Sequence, residues 1–158
     1  MTGIADEKSK DVNTAKFEKE FSRGKTIAAI STAQAPGGIG IIRISGPRAF
    51  EIADRVFFAS SGKKISQQKG YTVLYGEVQE ISSGEKLDEA LATCFRAPRS
   101  FTGEDVAELS CHGGLYILRS VLKEVYAAGA FPAEPGEFTR RAFLNGKIGL
   151  TEAESVME

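Results

Sequence analysis

The stretch Tyr71–Ala97, YTVLYGEVQEISSGEKLDEALATCFRA, carries the decisive pattern. Tyr71, Val73 and Tyr75 alternate with other residues as on a strand with one solvated face. A second extended run, Lys86–Ala97, follows after the turn-forming segment ISSGEK. Two strands joined by so short a link pair antiparallel. On the C-terminal side comes a loop, PRSFTGE, then another extended run, DVAELSCH, which Gly113 and Gly114 end. In LYILRSVLKEVYAAG, Leu118, Val121, Leu122 and Val125 recur at helical spacing, and Gly129 stands where a helix stops. On the N-terminal side, TIAAIS (26–31) and IGIIRIS (39–45) read as two strands joined by the Gly-rich TAQAPGG. Phe50, Ala53 and Phe57 mark a helix with Pro47 in its first turn, ended by Ser60, Ser61 and Gly62. EFTRRAFL makes a short helix closed by an Asn-Gly turn, and Thr151 with Glu154 has the spacing of a capping box opening a last helix. Strands and helices mixed at irregular intervals predict an α+β fold with a mixed, largely antiparallel sheet and packed helices.

The whole sequence has 158 residues, enough for one domain with a real core. Residues 1–24 mix Asp, Glu and Lys without an apolar block and read as a flexible arm, so the folded part begins at Lys25. Twenty basic against twenty-one acidic residues leave a net charge of −1, whereas a domain that grips nucleic acid by its phosphates carries a basic excess. Composition therefore offers nucleic acid no docking surface. Two cysteines and no apolar membrane-length run suggest a reduced, cytoplasmic protein with no membrane association.

The glycines of PGGIGIIR precede a β-branched strand rather than a helix, and G-x-x-x-x-G-K-[ST] occurs nowhere, so the chain by itself is not expected to hydrolyse GTP. Cys111 and His112 are neighbours on a strand and point to opposite faces, which argues against a nucleophile–base pair and for a core thiol beside a hydrogen-bonded histidine. The same geometry and the shortage of soft ligands leave no metal site. Glu104 and Asp105 read as solvated loop charges. Glu108, inside a strand and on one face with Ser110 and His112, is a candidate carboxylate facing a pocket. Arg43 interrupts an apolar strand, so it either snorkels to the surface, the favoured reading, or meets an anion. Lys147 is ordinary in its turn, and Arg140 and Arg141 read as the solvated side of a short helix.

Three blocks, in order, carry a resemblance: TIAAISTAQAPGGIGIIRISGP (26–47), APRSFTGEDVAELSCHGG (97–114) and EPGEFTRRAFLNGKIGLTEAE (134–154). Together they resemble the N-terminal domain of the bacterial tRNA-modification GTPase family, MnmE or TrmE. The resemblance implies a domain similar to the folate-binding domain of aminomethyltransferases, forming a homodimer and holding 5-formyl-tetrahydrofolate or a related tetrahydrofolate near the dimer interface. Residues 25–148 would be that folate-binding and dimerisation domain, and residues 149–158 the start of a following helical domain. GTP, magnesium and potassium are used in a GTPase domain that this sequence lacks. The full family protein works with a flavin-dependent partner, GidA (MnmG), on the wobble uridine of tRNA. Carried over by motif, the cofactor-binding residues are Arg43, Glu108 and Lys147; no catalytic residue carries over. Ala35, Pro36 and Gly149 depart from the family's usual pattern, which bears on one loop and on the start of the last helix. Two rivals remain. A stand-alone aminomethyltransferase-like one-carbon transferase would need a catalytic acid and a longer chain. A dimerisation module without ligand would not need the three charges.

Overall fold

A computed structural model of the chain describes residues 24–32 and 38–156. The expected arm, apart from Gly24, and the Ala35–Pro36 departure lie outside the described residues. Along the chain run β1 (Ile27–Ile30), β2 (Gly40–Ser45), α1 (Ala49–Val56), β3 (Phe57–Ala59), a 3-10 turn (Ile65–Gln67), β4 (Thr72–Gln79), β5 (Lys86–Phe95), β6 (Val106–Cys111), α2 (Leu115–Ala127), β7 (Phe131–Pro132), α3 (Glu137–Leu144) and α4 (Leu150–Val156). The seven strands form one sheet in the order β3-β4-β5-β6-β2-β1-β7. Every pairing is antiparallel except β1 with β7. This is the α+β fold with a mixed, largely antiparallel sheet that the patterning predicts.

Alternation along the strands divides the sheet into two unlike faces. Ile42 and Ile44 of β2, Ala90, Ala92 and Cys94 of β5, and Ala107, Leu109 and Cys111 of β6 belong to a buried core with Ile52 and Val56 of α1 and Val121 and Val125 of α2. The many alanines keep that face of the sheet low, which lets two helices lie close to it. On the other face Val73, Tyr75 and Leu91 remain exposed. The row Val73, Thr93, Glu108, Arg43 and Ala29 crosses that face from β4 to β1, each residue opposite the next.

Three local expectations are corrected. Phe57 leaves the helical pattern: α1 ends at Val56, and Phe57–Ala59 pairs with β4 as an edge strand. Pro47 lies ahead of the helix, whose cap is Arg48. Thr151 is inside the first turn of α4 rather than at its cap, since the Ala153 amide already donates to Gly149 O at 2.9 Å.

Gly76 makes room for the edge strand. A Cβ there would stand 2.1 Å from the carbonyl oxygen of Phe58 and 2.7 Å from Cα of Ala59, both backbone atoms that cannot rotate away. Gly76→Ala is therefore expected to cost about 1 to 3 kcal/mol by overpacking. Thermal denaturation measures the loss, and faster amide exchange confined to residues 57–59 and their β4 partners identifies its place.

Candidate functional site

Arg43 and Glu108 face each other across the β2–β6 ladder, 65 residues apart in sequence. Arg43 Nε donates to Glu108 Oε1 at 3.0 Å, and both side chains are about one-fifth exposed, 20% and 19%. Of the two fates open to Arg43, meeting an anion is the one realised, and the anion is a residue of its own sheet. The guanidinium lies 4.7 Å from the ring centroid of Phe101 and 5.4 Å from that of Phe138. Two aromatic faces thus shield a cation that a strand would otherwise leave in water, each contact contributing about 0.5 to 1 kcal/mol.

Lys147 arrives from the far end of α3. After the turn at Asn145 and Gly146, its amide donates back to Ala142 O at 2.8 Å. Asn145 Nδ2 donates to Thr102 O at 2.8 Å, which ties the end of this helix to the loop bearing Phe101. The Lys147 stem lies over Gly103, where a Cβ would come within 3.3 Å of Lys147 Cγ; with φ of +80°, the position favours glycine on conformational grounds as well. Lys147 then borders a cleft of about 270 Å³ shared with Tyr71, Phe95, Arg99, Ser100 and Phe101. Phe101 is common to both halves of the site: Arg43 sits over its ring, and the ring lines the cleft beside Lys147. Of the three positions singled out by resemblance, Arg43 and Glu108 are in direct contact, and Lys147 lines a cleft with Phe101, the ring on which Arg43 packs.

Arg141, expected on the solvated side of its helix, is only 3% exposed. Its Nη1 donates to Lys25 O at 2.7 Å and to both carboxylate oxygens of Glu104, at 3.1 and 3.2 Å. Nη2 donates to Glu137 Oε2 at 3.2 Å. Glu104, expected in solvent, also accepts from Ser45 Oγ at 3.0 Å, and Ser45 and Thr102 share a hydrogen bond of 2.8 Å. This polar cluster clamps α3 to the start of β1, the end of β2 and the loop after β5. It thereby sets the positions of Phe138, Phe101 and Lys147. The i,i+4 spacing of Glu137 and Arg141 was the one signal in the sequence that pointed to it. Arg140, by contrast, is exposed beside Glu134, as expected of a solvated face. Asp105 is engaged too, accepting the Ala97 amide at 2.8 Å.

Cys111 and His112 part ways as the alternation predicts, the first buried and the second exposed. The Cys111 thiol is buried against the helices, and burial, with a smaller contribution from Asp88, pushes it up to about 12. His112 is on the exposed side, its amide held by Asp88 Oδ2 at 2.7 Å and its Nδ1 3.1 Å from Glu89 O. The thiol is thus part of the core, as strand alternation predicts. Among the described residues no cluster of His, Cys, Asp and Glu has the makings of a metal site, and no helix is long and apolar enough to cross a membrane.

The family model described as GTP-binding protein TrmE N-terminus matches residues 26–147. The tRNA modification GTPase MnmE of Symbiobacterium thermophilum is 52% identical over 134 residues, which cover 85% of this chain and 29% of that protein. That of Parabacteroides distasonis is 49% identical over 134 residues, 84% of this chain and 29% of the relative. That of Geobacter sulfurreducens is 54% identical over 133 residues, 84% of this chain and 28% of the relative. The chain thus spans less than a third of the length of these relatives.

Proposed function

Since the chain belongs to the TrmE N-terminus family of the tRNA modification GTPases MnmE, we propose that residues 25–148 are a tetrahydrofolate-binding and homodimerising domain of such a GTPase. On this reading residues 149–158 begin the helical domain that follows. GTP, magnesium and potassium act in the rest of the protein. The whole protein works in the cytoplasm with the flavin-dependent partner GidA (MnmG), and a folate one-carbon unit goes to the wobble uridine of tRNA.

The observation that carries the proposal is the Arg43–Glu108 pair, whose arginine packs on Phe101, a ring that also lines the cleft bordered by Lys147. A pterin ring presents an N–H and an amino group side by side, two parallel donors that the two oxygens of one carboxylate accept together. Glu108 is the carboxylate for that fork. Arg43, bound to one of its oxygens, orients it and supplies the countercharge within an aromatic enclosure. Lys147 adds a cation for the anionic end of the ligand. The exposed Val73, Tyr75 and Leu91 share the sheet face with Glu108 and Arg43, and an apolar face of this kind suits a second copy of the chain.

Calorimetric titration with 5-formyl-tetrahydrofolate tests the ligand, in the chain and in the full-length protein. Saturable binding of one molecule per protomer is expected, and no binding in either at millimolar ligand would sink the reading. Sedimentation tests the association: a two-fold dimer is expected across micromolar concentrations, and a monomer throughout would count against it.

A further inference from the structure

Tyr71 stands out on conformational grounds. Its φ of +64° is the one left-handed backbone among the described non-glycine residues, a region that penalises a bulky side chain. The neighbouring ladder holds it there, with the Tyr71 amide donating to Cys94 O at 2.7 Å. Glycine would occupy that backbone without strain. The strain presents a ring: Tyr71 is 63% exposed, meets Phe95 edge-on with centroids 5.9 Å apart, and forms one wall of the cleft that Lys147 borders. Strain kept at the edge of a cleft, where a residue free of it was available, points to a use for that ring.

The cleft's chemistry narrows the use. Its lining combines three aromatic residues, Tyr71, Phe95 and Phe101, with two cations, Arg99 and Lys147, and no carboxylate. The complementary ligand is an aromatic ring joined to one or more carboxylates. At about 270 Å³ the cleft is below the range that encloses a whole drug-sized molecule, so it suits one arm of a larger ligand. Phe101 also packs on Arg43, so the cleft adjoins the Arg43–Glu108 pair through that ring.

Resting on the folate reading above, we infer that this cleft seats the aminobenzoyl-glutamate arm of the folate. Tyr71 supplies a wall for the aryl ring, and Arg99 joins Lys147 in taking the carboxylates, including those of additional γ-linked glutamates. Arg99 and Tyr71 are then specificity-determining residues.

The test compares three probes by calorimetry on the whole chain: 5-formyl-tetrahydropterin, which lacks the arm, 5-formyl-tetrahydrofolate, and its triglutamate. The unmodified protein is expected to bind the folate more tightly than the pterin, and the triglutamate about fivefold more tightly still. Tyr71→Gly keeps the backbone geometry and removes the ring. It is expected to weaken folate about tenfold, leave the pterin unchanged and leave the melting temperature equal or higher. Arg99→Ala is expected to abolish the preference for the triglutamate. Folate binding unaffected by Tyr71→Gly, or a pterin affinity that falls by the same factor, overturns the assignment of the arm while the folate reading stands. Binding of neither pterin nor folate by the unmodified protein overturns both.

Discussion

Glu108→Gln is expected to weaken the binding of 5-formyl-tetrahydrofolate by about 2 to 4 kcal/mol, roughly thirtyfold to several hundredfold in Kd. The substitution keeps size and shape but replaces one acceptor oxygen with an amide that points a donor at a donor. A second consequence falls on the fold rather than on the ligand. Arg43 loses the charge of its partner at 3.0 Å while remaining enclosed by Phe101 and Phe138, and a half-buried cation left without its anion is unfavourable. Calorimetry on the chain and on the full-length protein measures the effect. Thermal denaturation in parallel separates a lost contact from a damaged fold. Lys147→Ala is the milder comparison, because its side chain borders an open cleft. Unchanged folate affinity in Glu108→Gln would remove Glu108 from the site.

Arg141→Met is expected to be the most damaging single change to the fold, costing about 3 to 5 kcal/mol and lowering Tm by roughly 10 °C. The side chain is 3% exposed, and its carboxylate partners Glu104 and Glu137 are themselves 14% and 7% exposed. Removing the guanidinium leaves two carboxylates facing each other in a space that admits little water. The same change in a Glu104→Gln background is expected to cost less, since one stranded charge has already gone; the difference is the coupling energy of the pair. Arg140→Met on the exposed side of the same helix serves as the control, with a change within about 0.5 kcal/mol. Should Arg141→Met melt within a degree or two of the unmodified protein, the clamp holds nothing. Folate binding is expected to weaken in Arg141→Met even below its melting temperature, because α3 carries Phe138 and leads to Lys147.

Where a residue's structural fate depends on near neighbours, it was legible from the sequence. The alternation of Val73 and Tyr75 ahead of a short turn marked the β4–β5 hairpin, whereas Tyr71, expected to open that strand, stands just outside it with φ of +64°. The spacing of Leu118, Val121 and Val125 marked α2, which Gly129, at φ +122°, follows where expected. Strand alternation likewise separated Cys111 from His112. In the same way Arg43 and Glu108 stood out singly, as charges inside apolar strands. What tertiary structure decided is every feature that needed a remote partner. Phe57 has the right spacing for α1, yet the unpaired edge of β4 takes it into a ladder, and Phe131–Pro132 becomes a strand only because β1 lies beside it. Arg43 and Glu108 become a pair through the β2–β6 register, across 65 residues. Lys147 had no local signal because its place depends on Gly103 and Phe101, more than 40 residues away in sequence, tied to it by the Asn145–Thr102 hydrogen bond at a separation of 43. Arg141 looked solvated because a helix segment rich in charge does so in isolation. Its burial follows from Glu104, Glu137 and the Lys25 carbonyl meeting at one point, and no window of sequence holds all of these together. Periodicity records which face of an element is apolar, while the partner of a charge is set by how the elements are assembled.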